Sequence, residues 1–424
     1  MPELPTTLWS LVFLGATAII SWYVTIPASR LGLRLGLVDL PSTRRTRARA
    51  IPTSGGLVVF GTTAAALVVA LLTPGLLEAE ATRAFTTLIF GGSLIVVLGM
   101  FDDKLNLRPV VKLIVQTAVA VTMVYAGISI EHVRFLVGPM VDLGWLGAPL
   151  SVLLFVALMN IVNLIDGLDG LAGGIAAIGA LALLGVGFLN DYAALTILAG
   201  AVLGSTIGFL LHNFREGNVY LGDAGSMVLG FFIAGGAIVG SGSDAASNAL
   251  LVTLAAMTVP AFDVVTTIAR RARSGRGVMT PDRSHVHHRL IRFGLSPRLT
   301  VVVLWGVTLF FTGQMLGQIT PHGLVYVLLS YGIAAYVGNV ILEQHRKNAR
   351  TLKSDLREEL AYLVGATDTI IYGDCPPGAT LRQMIVSQIR REARFRRMVR
   401  QEARRKEPPV EELITEKDRE KTTH

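Results

Sequence analysis

The sequence predicts an all-α polytopic membrane protein with about eleven transmembrane helices, the N-terminus outside and the C-terminus cytoplasmic. Three observations carry this expectation. The 424 residues are 52% hydrophobic and only 16% charged, with a mean hydropathy of +0.56, whereas soluble domains carry about 25% charge. Apolar runs long enough to cross a bilayer recur along the chain. Arginines collect in particular loops, as the positive-inside rule requires. The 44 glycines suit close helix packing in lipid. Lipid-facing backbone must satisfy its own hydrogen bonds, which favours helices, and the alternating pattern of barrel strands is absent.

In chain order the expected spans are residues 8–27, 53–73, 84–101, 109–127, 148–165, 171–190, 192–212, 224–241, 246–269, 299–318 and 322–342. The first 27 residues lack the basic start and small-residue cleavage site of a signal peptide, so they read as the first anchor. The loop at 28–52 holds Arg30, Arg34, Arg44, Arg45, Arg47 and Arg49, and the loop after span nine is similarly rich, from Arg270 to Arg298. These loops are expected in the cytoplasm. The loops at 74–83 and 128–147 contain only Arg83 and Arg134 among arginines and are expected outside. Residues 1–343 are thus expected to form one transmembrane domain, the one that carries the motifs read below as catalytic. Residues 344–424 form a charged cytoplasmic extension, in which 380–406 resemble a basic amphipathic helix suited to anionic headgroups, a solvated extension being the competing reading.

The net charge of +8 suits anionic lipids and phosphate-bearing substrates. No separate basic domain precedes the tail, so nucleic acid is not an expected partner. A single cysteine, Cys375, excludes an intramolecular disulfide and any cysteine-cluster metal site.

Carboxylates and imidazoles interrupt this apolar chain at five places. Groups of that kind are costly near hydrocarbon and mark function. Under the eleven-span topology all of them fall on the cytoplasmic side. Asp102 and Asp103, in FDDK, point in different directions from a helix end, so one can bind metal while the other holds a cation or accepts a proton; Lys104 can pair with either or reach a phosphate. Asn163, Asp166 and Asp169, in NLIDGLDG, are spaced by three and form a candidate polar pocket. Asp223, in NVYLGDAGS with Asn218, suits a metal-linked phosphate at a helix N-terminus, with helix capping as the competing reading. Asp263, after Pro260, is expected to support or contact the substrate in a span kinked by the proline. Arg283, His285, His287 and His288 can clamp a diphosphate; a zinc cluster is the rival, but oxygen-rich partners favour magnesium or manganese.

Together FDDK, NIVNLIDGLDGLAGG, GNVYLGDAGS and DRSHVHHRL, with the early Pro52–Gly56 element, resemble the polyprenyl-phosphate N-acetylhexosamine-1-phosphate transferases of glycosyltransferase family 4. The resemblance runs from about Leu31 through Leu342 and leaves out the tail. It implies a bacterial plasma-membrane enzyme of cell-wall or surface polysaccharide synthesis, with its active site on the cytoplasmic face. A polyprenyl phosphate such as undecaprenyl phosphate attacks the diphosphate of a UDP-sugar, and UMP leaves. Magnesium is the implied cofactor, and a homodimer is implied. The pattern before Gly222-Asp223 resembles the N-acetylglucosamine branch, so UDP-N-acetylglucosamine is the expected donor; another UDP-HexNAc or a muramyl-pentapeptide donor is the alternative. Carried onto this chain, Asp223 is the metal ligand. Asp102 and Asp103 flank lipid phosphate and metal, with Asp102 binding or deprotonating the nucleophile. Asp166, Asp169 and Asn163 hold the nucleotide or structure the pocket, and the histidines contact donor phosphates or sugar. A membrane transporter is the rival class, because intramembrane carboxylates also serve ion pathways.

Overall fold

The computed structural model describes residues 6–39, 51–134, 140–216, 218–242, 248–273, 285–320 and 323–373. Arg44, Arg45, Arg47, Arg49, Arg276, Arg283, Cys375 and the basic segment 380–406 lie outside the described residues. The chain divides into two units, Met1–His345 and Arg346–His424. In the second unit residues 346–373 are helical, and Gly365 does not interrupt them.

The first unit is a helical bundle. Helix α1 (Thr6–Leu35) leads to a short antiparallel pair, β1 (Val38–Asp39) with β2 (Ile51–Pro52), in which Val38 faces Pro52. Helices α2 (Gly55–Leu72), α3 (Ala79–Leu105) and α4 (Pro109–Tyr125) follow, then a hairpin of β3 (His132–Arg134) and β4 (Met140–Asp142). Next come α5 (Gly147–Ile165), α6 (Leu171–Leu189), α7 (Ala193–Glu216), α8 (Gly222–Ser241), α9 (Ala249–Ala256), α10 (Thr258–Arg273), α11 (Val286–Arg292), α12 (Pro297–Ile319) and α13 (Gly323–Gly373).

Among the described residues nine helices are long and apolar enough to cross a membrane, or ten if the α9–α10 pair is one broken span. The protein is therefore an all-α chain of the polytopic membrane class. Every expected span coincides with a helix or with that pair. The fourth, α4, is shorter than the others at 17 residues. The ninth bends by 59° between Ala256 and Thr258. The expected proline kink has a direct physical cause here. Pro260 has no N–H to donate to the carbonyl of Ala256, so the hydrogen-bond ladder opens where the helix breaks.

Helix α8 lies at the centre, with 94% of its apolar window buried, against 22% for α1. Its neighbours approach through small residues. A side chain at Gly99 of α3 would strike the backbone of Ala224, and one at Gly56 of α2 would strike the backbone of Gly225. With hydrocarbon outside, no hydrophobic force drives such contacts, and close backbone packing supplies the attraction instead. The consequence for function is positional: α2, α3 and α8 are clamped together at the N-terminus of α8, one residue from Asp223. Deeper in the bundle Phe155, Phe231 and Phe232 are buried as a cluster, Phe231 tilted against Phe155 and edge-on to Phe232.

Candidate active site

The segment 218–222 enters α8 by pairing with the Pro52–Gly56 element. Tyr220 N–H donates to the Pro52 carbonyl at 2.9 Å, while Gly55 and Gly56 N–H donate to the Tyr220 and Leu221 carbonyls at 3.0 Å each. Two orphan donors at the start of α2 are thereby satisfied. The chain then turns through Gly222 at φ +73°. A Cβ at that residue would lie 2.7 Å from Asp103 Oδ2, so the turn needs glycine for its conformation and for its closeness to a carboxylate.

Asp103 uses that proximity to cap α8 from another helix. Its Oδ1 accepts from Asp223 N–H at 2.8 Å and its Oδ2 from Ala224 N–H at 3.3 Å. A carboxylate at a helix N-terminus is stabilised by the orphan donors and the dipole. The competing reading of Asp223 as the cap is thus replaced: Leu221 holds the N-cap position without a side-chain bond, and Asp223 lies in the first turn. Its carboxylate faces inward, where Asn163 Nδ2 donates to Oδ1 at 2.6 Å and to Ser226 Oγ at 2.9 Å.

Asp102 is only 2% exposed. Lys112 Nζ lies 2.6 Å from Oδ2, and Leu107 N–H donates to Oδ1 at 3.0 Å. Lys112 is a residue that the motif reading did not single out. A lone cation in an otherwise apolar helix was the available signal, since lysine facing hydrocarbon needs a partner. One turn further along α4, Gln116 is 1% exposed and accepts from Asn160 Nδ2 at 2.7 Å. That bond ties α4 to α5 directly beneath Lys112 and Asn163.

Asp166 and Asp169 come together through a turn and not along a helix face. Helix α5 ends at Ile165, Asp166 follows at its C-terminus, and Gly170 at φ +84° starts α6. Asn213 braces this turn by accepting from Gly170 N–H at 2.6 Å and donating to the Val219 carbonyl at 2.8 Å. A cavity of about 400 Å³ results, lined by Asp102, Asp103, Asp166, Asp169 and Asp223 and by Asp39, Asn106 and Tyr220, which the sequence reading also passed over.

The histidine motif reaches the same turn from behind. Asp263 is 3% exposed, accepts from Val286 N–H at 2.8 Å and lies 2.9 Å from His285 Nδ1. It therefore caps α11 and fixes one face of His285, a supporting role and not a lining one. His287 is 3% exposed, and a Cβ at Gly167 would come within 2.6 Å of its Nε2. Burial chiefly, with repulsion from His288 and His285 and against the opposing pull of Asp263, pushes the His287 imidazole down to about 4. It is neutral at neutral pH.

Three expected contacts fall elsewhere. Lys104 Nζ lies 3.5 Å from the Leu35 carbonyl at the end of α1 and does not line the pocket, because α3 turns its final residues toward that helix C-terminus. Asn218 is exposed and lines a different cavity, between α1 and α7. His288 contacts His287 at 4.3 Å between ring centres and is absent from the pocket lining.

Among the described residues no three histidine, cysteine, aspartate or glutamate side chains are grouped to hold a metal ion by themselves. Magnesium commonly uses one or two carboxylates and completes its octahedron with phosphate oxygens and water. Asp103 and Asp223, hydrogen-bonded neighbours lining one pocket, offer hard oxygen donors of that type.

A pocket lined by six aspartates at one end of a bundle of apolar helices marks a polytopic membrane protein with a strongly acidic, hard-oxygen site. Comparison with known proteins makes the class specific. The profile described as glycosyl transferase family 4 matches residues 85–241, the stretch carrying Asp102, Asp103, Asn163, Asp166, Asp169 and Asp223. The chain is 35% identical over 291 residues to the "Probable undecaprenyl-phosphate N-acetylglucosaminyl 1-phosphate transferase" of Bacillus subtilis (strain 168), covering 68% of this chain and 79% of that one. It is 31% identical over 363 residues to the decaprenyl-phosphate N-acetylglucosaminephosphotransferase of Mycobacterium tuberculosis (strain CDC 1551 / Oshkosh), covering 78% and 88%. Against the undecaprenyl-phosphate alpha-N-acetylglucosaminyl 1-phosphate transferase of Pasteurella multocida (strain Pm70) it is 30% identical over 297 residues, covering 68% and 80%. The chain belongs to glycosyl transferase family 4, and it is a transferase.

Proposed function

We propose that the protein transfers N-acetylglucosamine-1-phosphate from UDP-N-acetylglucosamine to a polyprenyl phosphate such as undecaprenyl phosphate, giving polyprenyl diphosphate-N-acetylglucosamine and UMP. The observation that carries this reading is the convergence of Asp102, Asp103, Asp166, Asp169 and Asp223 on one cavity, beside Lys112, in a chain of this family. In the reaction an oxygen of the lipid phosphate bonds to the phosphorus that carries the sugar. The bond from that phosphorus to the UMP oxygen breaks, and UMP carries away the electron pair. Lipid phosphate is largely ionised near neutral pH, so alignment matters more than base strength.

Asp223 and Asp103 would hold a magnesium ion, with manganese as a substitute. Such an ion offsets the repulsion between two phosphate groups and stabilises charge as the phosphoryl group moves. Asn163 orients Asp223 by its 2.6 Å bond, and Asp103 sets the start of the helix that bears Asp223. Asp102 already accepts from Lys112 and from Leu107 N–H, so the role expected of it passes in part to the lysine: Asp102 anchors the ammonium near the incoming phosphates. Asp166 and Asp169 bind the nucleotide portion from the turn that His287 supports. His285, held by Asp263, contacts donor phosphates, together with Arg283, while His288 packs on His287.

The eleven-span topology, N-terminus outside and C-terminus cytoplasmic, belongs to the same proposal and puts the pocket at the cytoplasmic face of a bacterial plasma membrane. Supporting it, Arg34 ends α1 just before Asp39 enters the pocket lining, and Arg270, Arg271 and Arg273 end α10. Purified protein with magnesium, undecaprenyl phosphate and UDP-N-acetylglucosamine is expected to release UMP only when lipid and metal are both present. Full activity in Asp223→Ala would overturn the metal role, and a panel of UDP-sugars tests the donor.

A further inference from the structure

A second cavity, of about 660 Å³, opens between α1 and α7. Its origin is legible in the packing of those helices. Gly200, Gly204 and Gly208 recur every four residues on α7, and a side chain at Gly204 or Gly208 would strike α1 at Thr17 or at the Ala18 carbonyl. Ser21 Oγ adds a 2.6 Å bond to the Ser205 carbonyl. The next position on that stripe is His212, whose ring stacks on Trp22 at 6.1 Å and 18°, with Nε2 3.0 Å from the Trp22 carbonyl. Replacing the run of glycines by two rings wedges the helices apart, and the cavity begins there.

The surface is graded from the cavity outward, with Arg30 and Arg34 beyond its own lining. Trp22, Ile26, Arg30 and Arg34 follow each other at four-residue spacing on α1, so they share one stripe. Trp22 and Ile26 line the apolar part, 40% and 47% exposed. Thr25 and Ser29 line it beside them; Thr25 is fully buried, and the half-buried Ser29 hydroxyl, which donates to the Ile26 carbonyl, keeps lone pairs for a headgroup hydroxyl. Arg30 and Arg34 are exposed at the end of the stripe. Apolar ring, hydroxyl and guanidinium in that order match chain, glycerol and phosphate of a membrane lipid.

We propose that this cavity binds one glycerophospholipid with an anionic headgroup, its phosphate on Arg30 and Arg34 and its upper acyl chain against Trp22 and Ile26. The site is separate from the carboxylate pocket but joined to it. Val219 lines the lipid cavity, and its carbonyl accepts from Asn213, which in turn holds Gly170 at the end of the Asp166–Asp169 turn. An occupied cavity therefore steadies the wall on which that turn rests. This last link rests on the transferase reading above; the binding itself does not.

The test uses full-length protein in mixed micelles, titrated with brominated phosphatidylglycerol or brominated phosphatidylcholine. The Trp22 signal is the difference in fluorescence quenching between the natural protein and Trp22→Phe. Saturable quenching by phosphatidylglycerol is expected, weakened about fivefold in Arg30→Gln and about 25-fold in Arg30→Gln/Arg34→Gln, as roughly 1 kcal/mol per arginine requires. Equal quenching by both lipids, or no response to the arginine changes, overturns the proposal. So does displacement by undecaprenyl phosphate at equimolar concentration, which would assign the cavity to the acceptor lipid. Should Trp22→Phe fail to fold, His212→Gln with native mass spectrometry of retained phosphatidylglycerol gives the same discrimination. Expected quenching in a protein that releases no UMP from any UDP-sugar leaves the lipid site standing and removes the transferase reading.

Discussion

The Asp102–Lys112 pair makes an asymmetric prediction. The ion pair is 2.6 Å long, with the aspartate side chain 1% exposed and the lysine side chain 20% exposed. Breaking a buried pair by removing one partner costs roughly 3–5 kcal/mol, because the other charge is left without compensation. The penalty depends on which charge remains. Lys112→Met strands a carboxylate that is almost wholly buried, with the Leu107 N–H still donating to it. We expect a loss near the low end, about 3 kcal/mol, since part of the lysine was already solvated and its attraction screened. Asp102→Asn keeps the acceptor for Leu107 and leaves an ammonium that can turn to solvent, so about 1 kcal/mol is expected. The double variant Asp102→Asn/Lys112→Met removes both charges and is expected to recover about 1–2 kcal/mol relative to Lys112→Met alone. Reversible unfolding by SDS titration in mixed micelles measures all three. If Asp102→Asn is the more damaging change, or if the double variant is no better than Lys112→Met, the pair is not the buried, one-sided contact described here. Activity separates the roles further: the double variant is expected to regain stability but not UMP release, since the cation near the phosphates is gone.

Two other outcomes follow from single positions. Gly222→Ala places a Cβ 2.7 Å from Asp103 Oδ2 in a left-handed conformation costing about 1–2 kcal/mol, so Asp103 must swing off the α8 N-terminus. UMP release is expected to fall about 100-fold, as misplacing a reacting group by about 1 Å does, and wild-type kinetics in that variant would contradict the capping geometry. The His287 imidazole, neutral in the fold and held near 4 against an ordinary 6.5, binds fewer protons folded than unfolded between those values. Its contribution is therefore complete above about pH 6.5 and is lost as pH falls toward 4. The protection of α11 amides, corrected for the pH dependence of intrinsic exchange, is expected to fall over that window in the natural protein and to stay flat in His287→Leu.

Residues that the motifs named and the structure brought together are Asp102, Asp103, Asn163, Asp166, Asp169 and Asp223, and each carries its own warning in the sequence, being a charge or amide at the edge of an apolar run. What those motifs could not give was the partner of each group. Asp103 ends as a cap for a helix 120 residues away, Asp263 ends under His285, and Asn218 ends in the cavity between α1 and α7 beside Trp22. Lys112 was passed over because one cation in an apolar helix looks like a tolerated exception until its aspartate is seen beside it.

The division has a physical basis. Whether a segment enters a membrane, and whether it does so as a helix, depends on transfer free energy and backbone hydrogen bonding, which are sums over local residues. The class of this protein, the location of its long apolar helices and the chemical character of its motifs were therefore already determined by the amino-acid order. Which carboxylate faces the pocket and which is spent holding a helix end or a lysine depends on how closely separate helices approach. That distance is set by contacts such as Gly99 on Ala224 and Gly56 on Gly225, between residues far apart in the chain. Only the packed bundle decides it, because the interaction exists only once both helices are in place.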